Sequence, residues 1–87
     1  MDMNQRRSSV EVIADILRLG EAGKTEIMYG ANMSYRQLQR YLEFLVEGGF
    51  LNKTVVPNPG VKFKVTDKGR RLLANIEVVL AMLGHEG

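Results

Sequence analysis

Two runs rich in β-forming residues lie side by side in the middle of the chain, Phe50 to Val56 and Val61 to Val65. Pro57-Asn58-Pro59-Gly60 separates them. Two prolines and a glycine cannot continue a strand, so the pair is expected to form a hairpin with a loop of about four residues. In the second run Val61, Phe63 and Val65 alternate with Lys62 and Lys64. A period of two sends the apolar residues to the core and both lysines to the other face. Every other periodic segment is helical, so the chain is expected to be mostly helical α+β.

Three helices precede the hairpin. Ser8 or Ser9 can cap a first helix running to about Leu19, with Gly20 and Gly23 stopping it. Val10, Ile13, Ala14 and Leu17 define its inward face, while Val12, Ile16 and Leu19 form a second apolar strip. That strip predicts that the helix touches two partners. Thr25 opens a short second helix through about Gly30, with Glu26 in its first turn where the helix dipole favours an anion. Gly30-Ala31-Asn32-Met33 then turns the chain. Ser34 followed by Gln37 is a capping box, so a third helix is expected from Tyr35 to about Glu47, ended by Gly48-Gly49.

On a helical wheel Leu38, Tyr41, Leu42, Leu45 and Val46 share the core arc of this third helix. Arg36, Arg40, Glu43 and Glu47 share the opposite arc, flanked by Gln37 and Gln39, with Tyr35 at the boundary. The exposed face is therefore basic near its start and acidic near its end. After the hairpin, Thr66 caps a last helix extending to about Gly84, with Asp67 in its first turn. Of the 12 residues Leu72 to Leu83 only Asn75 and Glu77 are polar. Leu72, Ile76, Val79 and Leu83 keep a 4-3-4 spacing, and Leu73 and Leu80 widen the stripe, with Val78 and Met82 outside it. A helix apolar almost all round is buried on more than one side. In so small a chain the expected extra cover is a second copy.

The order helix, helix, helix, hairpin, helix, with a tight turn before a capped third helix, is the winged helix-turn-helix arrangement. The sequence resembles archaeal winged-helix regulators, most closely the dimeric ten-kilodalton chromatin-type DNA-binding proteins of Sulfolobus. The resemblance is carried by Ile27-Met28-Tyr29, Asn32-Met33-Ser34-Tyr35, Leu38, Tyr41-Leu42, Leu45 and Gly48-Gly49-Phe50-Leu51. Phe63-Lys64-Val65-Thr66 with Asp67-Lys68-Gly69 looks like a wing-to-helix junction. It covers nearly all of residues 1–87 as one domain, with 1–7 as a flexible arm and 66–84 as a dimerisation helix. In that family the C-terminal helices form an antiparallel coiled-coil dimer. The resemblance therefore implies a homodimer through Leu72, Leu73, Ile76, Val79, Leu80 and Leu83.

Charge distribution agrees with an anionic partner. The formal net charge is only +2, but residues 50–71 hold six Lys/Arg against Asp67 alone. The recognition candidates are Ser34, Tyr35, Arg36, Gln37, Gln39 and Arg40, because Arg pairs bidentately with guanine and Gln with adenine. Lys53, Lys62 and Lys64 on the wing, and Lys68, Arg70 and Arg71 at the start of the last helix, are candidates for phosphate contact. Each has an ordinary alternative: an amphipathic surface helix, edge-strand lysines that block aggregation, solvated charges. Tyr29 and Tyr41 are expected in helix packing, and Arg6 and Arg7 in an idle arm.

Enzymatic readings find no support in the residues. There is no Cys, and His85, the only histidine, lies beside Glu86 near the end. No glycine-rich phosphate loop and no metal-ligand spacing occurs, so no cofactor and no metal are expected. Leu72–Leu83 is shorter than the roughly 20 residues that span a bilayer. Arg6-Arg7 resembles the start of a twin-arginine signal, but Glu11 and Asp15 interrupt the apolar run it needs. The expectation is a cytoplasmic, nucleoid-associated duplex-DNA binder, either a transcriptional regulator or a chromatin-type protein. The alternative is a winged-helix protein–protein interaction module without DNA contact.

Overall fold

The Ser8 hydroxyl accepts the Glu11 N–H, and the Glu11 carboxylate accepts the Ser8 N–H, both at 3.1 Å. This reciprocal cap starts α1, Ser9–Arg18. The computed structural model describes residues 8–57 and 60–84. After α1 come β1 (Glu21–Gly23), α2 (Lys24–Ala31), α3 (Tyr35–Glu47), β2 (Leu51–Val56), β3 (Gly60–Val65) and α4 (Asp67–Met82). The arm expected at 1–7, Asn58 and Pro59 of the wing tip, and His85 lie outside the described residues.

The bounds of α3 match expectation. Ser34 Oγ accepts the Gln37 N–H at 3.3 Å, and the helix ends in a paired turn about Gly49, whose φ is +83°. There the Phe50 N–H donates to Leu45 O at 2.8 Å and the Gly49 N–H to Val46 O at 3.1 Å, satisfying carbonyls the helix leaves open. The second helix starts one residue earlier than expected, at Lys24, because the Glu26 carboxylate accepts the Gly23 N–H at 2.8 Å. It ends on Asn32, a left-handed residue with φ +54°.

The sheet has three strands where a hairpin alone is expected. β1 pairs antiparallel with β3, giving the order β1-β3-β2, and Glu21 lies opposite Lys64 and Gly23 opposite Lys62. β3 is therefore the central strand, so Lys62 and Lys64 are not edge lysines. β2 and β3 pair from Leu51↔Val65 to Val56↔Gly60, which shortens the loop to residues 57–59.

The core lies between the helices and one sheet face, with Leu17, Leu38 and Leu45 the largest fully buried side chains. Phe63 and Val65 complete it from β3, as their alternation predicts. Burying each such side chain contributes about 1.5–3 kcal/mol. In α1 the expectation is revised: Val12 and Ile16 belong to this core, while Val10 is exposed. The two apolar strips form one wide arc, and the partners of α1 are α2 and α4 of the same chain.

Helix α4 is anchored at its start. Thr66 Oγ1 accepts the Gly69 N–H at 3.0 Å and donates to Gly49 O at 2.6 Å. Farther along, Arg18 of α1 bridges Glu77 at 3.1 Å and Asp15 at 2.9 Å. Ile76 is 7% exposed, and Leu72 and Leu73 pack against the chain's own core. These three residues of the expected dimer stripe thus face inward. Leu80 is half-buried, and the exposed apolar residues of α4 are Val78, Val79, Met82 and Leu83. Among the described residues no helix is long and apolar enough to cross a membrane.

Candidate nucleic-acid interface

Helix α3 buries Leu38, Leu42 and Leu45, so geometry turns Arg36, Gln37 and Arg40 to solvent. Arg36 and Arg40 stand one turn apart, and among the described residues neither forms an ion pair. Ser34 spends its hydroxyl on the helix cap. Gln39 departs from the outward set. It is half-buried and lines a cleft of about 190 Å³ between the starts of α2 and α3 and the sheet, beside Lys24, Lys53 and Phe63. Its Oε1 is buried and has no hydrogen-bond partner among the described residues. Glu43 and Glu47 are exposed toward the far end, so the basic-to-acidic gradient along α3 is present.

The basic residues of the wing and of α4 divide into separate groups. Lys53 lies opposite Phe63 and therefore shares the core-side face of the sheet, bordering the α3 cleft. Lys62 and Lys64 project from the other face, with Thr54 and Asn52 as their β2 neighbours. Lys64 further borders a cleft with Arg18, Glu21 and Arg70 on the α1 side.

At the start of α4, Lys68 is already committed. Its Nζ donates to Gly48 O at 2.7 Å and lies 4.8 Å from the centroid of the Phe50 ring, holding the end of α3. Arg70 pairs with Asp67 at 2.8 Å, and Arg71 is exposed with no ion pair among the described residues. Charge counting along the sequence merges groups that the fold keeps apart.

Two tyrosines differ from expectation and a third gains a partner. Tyr29 is 77% exposed rather than packed, because short α2 buries only Ile27 and Ala31. Tyr41 does pack, and its hydroxyl donates to Ser9 Oγ at 3.2 Å. Tyr35, the first residue of α3, is 56% exposed, and its hydroxyl accepts a hydrogen bond from Lys24 Nζ at 3.0 Å. The same ammonium lies 5.0 Å from the Tyr35 ring centroid. Lys24 carries no signal in the sequence, because the pair joins residues eleven positions apart across two helices. No cluster of three or more His, Cys, Asp or Glu among the described residues could hold a metal ion.

A trihelical core with a capped, solvent-facing third helix and an antiparallel wing defines a winged helix. The winged helix-turn-helix family model matches residues 6–83, and the chain belongs to that family. An uncharacterised protein of Methanocaldococcus jannaschii, MJ0287, is 38% identical over 74 residues, spanning 82% of this chain and 71% of that one. A second from the same archaeon, MJ0290, is 33% identical over 81 residues, and the match spans only 36% of its length.

Among solved structures, Sso10a-2, a DNA-binding protein from Sulfolobus solfataricus, superposes with a TM-score of 0.83 at 32% identity, covering 90% of this chain and 83% of that one. The likeness to archaeal ten-kilodalton proteins expected from the sequence is thus found in structure as well. MarR from E. coli, in complex with operator DNA, gives a TM-score of 0.69 at 20% identity over 90% of this chain and 59% of its own. PcaV from Streptomyces coelicolor gives 0.76 at 18%, over 91% and 58%. These two likenesses are of fold alone.

Proposed function

We propose that the protein is a non-enzymatic, homodimeric binder of duplex DNA, a transcriptional regulator or a chromatin-type protein acting on the cytoplasmic chromosome. The observation that carries the proposal is the solvent face of α3. Arg36, Gln37 and Arg40 stand exposed there, with no carboxylate pairing either arginine among the described residues. Their fold is that of Sso10a-2, whose description is a DNA-binding protein. Arginine and glutamine on a helix in the major groove read guanine and adenine edges. Lys62, on the outer face of the wing, and Lys53, beside α3, supply phosphate contacts that position the duplex without reading sequence.

Dimerisation is assigned to the exposed face of α4. Val78, Val79, Met82 and Leu83 fall on one side of its last turns and have no cover within the described chain. This face replaces the stripe expected from spacing, half of which is spent on the chain's own core. Sedimentation at micromolar concentration tests it: a dimer supports the assignment, and a stable monomer refutes it.

Fluorescence anisotropy against a labelled duplex tests DNA binding, and absence of salt-sensitive affinity for any duplex refutes it. Site selection on random duplex at two salt concentrations separates the roles. An enriched motif identifies a regulator, whereas affinity without a motif identifies a chromatin-type binder. Exposed Phe44 and Val55 favour one second reading, a protein-docking module. A partner retained from extract after nuclease treatment, together with no affinity for duplex, supports that reading instead.

A further inference from the structure

Lys24 and Tyr35 lie outside the basic groups that charge counting finds, yet they meet where the recognition helix and the wing converge. Tyr35 is the first residue of α3, next to Arg36. Lys24 follows Gly23, which pairs with Lys62 of the wing. A duplex that contacts both Arg36 and Lys62 runs its backbone across this junction. Resting on the DNA-binding reading above, we propose that Lys24 and Tyr35 form a two-donor clamp for one backbone phosphate of duplex DNA.

The chemistry follows from donor inventory. An ammonium has three N–H donors and a phenol one O–H donor plus acceptor lone pairs. Lys24 Nζ spends one donor on Tyr35 Oη at 3.0 Å, which leaves it two. Because Tyr35 accepts that bond, its own O–H stays available to donate. The two heavy atoms are spaced so that one phosphate group can bridge them, and the Tyr35 side chain is largely exposed.

The surroundings do not neutralise the cation. Glu43 and Glu47 border the same cleft as Lys24, yet among the described residues no carboxylate pairs with it. The Glu26 carboxylate is taken by the Gly23 N–H. The ammonium is held instead over a neutral ring, which fixes its position and leaves its charge unpaired.

The test titrates wild type, Lys24→Met, Tyr35→Phe and the double variant against one mixed-sequence duplex at three chloride concentrations. Thermal melts establish that each variant is folded, and Lys24→Gln replaces Lys24→Met if the latter unfolds. Each single substitution is expected to weaken binding about tenfold, the loss of one charge-assisted hydrogen bond. The double variant is expected to bind no worse than the weaker single, because both remove one clamp. The log–log salt slope falls by about 0.9 for Lys24→Met, and is unchanged for Tyr35→Phe and for the charge-keeping Lys24→Arg.

Singles that bind like wild type overturn the clamp while leaving the DNA reading intact, as do losses that add independently. A wild type with no affinity for duplex refutes the DNA reading before the clamp is reached. Inorganic phosphate is expected to displace no more duplex than chloride at matched ionic strength. Displacement specific to phosphate would assign the pair to a free anion and overturn the proposal.

Discussion

Replacing Gly69 with alanine sets helix propensity against packing. Gly69 sits in the first turn of α4, where alanine favours the helix by about 1 kcal/mol. The residue is buried, and a Cβ on it lies 2.2 Å from the Phe50 carbonyl oxygen and 3.2 Å from Val65 Cγ2. The oxygen contact is more than roughly 1 Å shorter than ordinary van der Waals separation. The obstacle is backbone, so relief requires the first turn of α4 to move away from Phe50.

That movement strains neighbouring bonds. Phe50 O accepts the Thr66 N–H at 3.1 Å, and Thr66 Oγ1 donates to Gly49 O at 2.6 Å. Overpacking costs about 1–3 kcal/mol. Weakening the two hydrogen bonds adds about 1 kcal/mol, which offsets the propensity gain. The net expectation is a destabilisation of about 2 kcal/mol, or a fall in Tm of roughly 8–16 °C for a chain of this size. Differential scanning calorimetry of both proteins reads it, and an unchanged or raised Tm for Gly69→Ala refutes the packing argument.

Other outcomes follow from the same geometry. Ser34→Ala removes the cap of α3 and should cost about 1 kcal/mol in chemical denaturation. Met82→Lys should convert a dimer to a folded monomer in sedimentation, since Met82 is 80% exposed in the single chain. Ile76→Lys should instead unfold the protein, seen by circular dichroism, because it buries an unpaired charge in the chain's own core. Arg40→Ala should relax sequence preference by about 1–3 kcal/mol at one base position, whereas Lys62→Ala should weaken all sequences alike and lower the salt slope by about 1.

Local chemistry was legible where it acts over a few residues. The Ser34 cap and Gly48-Gly49 bound α3 correctly, and alternation placed Phe63 and Val65 inside with Lys62 and Lys64 outside. Strand β1 was not legible. Glu21-Ala22-Gly23 contains no β-former, and its conformation comes from pairing with β3. The periodicity of α4 announced apolar surface on several sides. It carried no information on which arc α1 and the sheet would take, and that arc includes Ile76.

Charge shows the same limit. Six basic residues in 50–71 look like one patch along the chain. Lys68 is spent on Gly48 O, Arg70 on Asp67, and Lys53 lies on the opposite sheet face from Lys62 and Lys64. Lys24, from outside that segment, stands at the start of α3 instead.

DNA affinity as a function of salt tests the central claim most directly. If each protomer of a dimer neutralises about four phosphates, log affinity should fall linearly with log salt at a slope of roughly −7. A measured slope near zero, or no binding to any duplex at low salt, would contradict it.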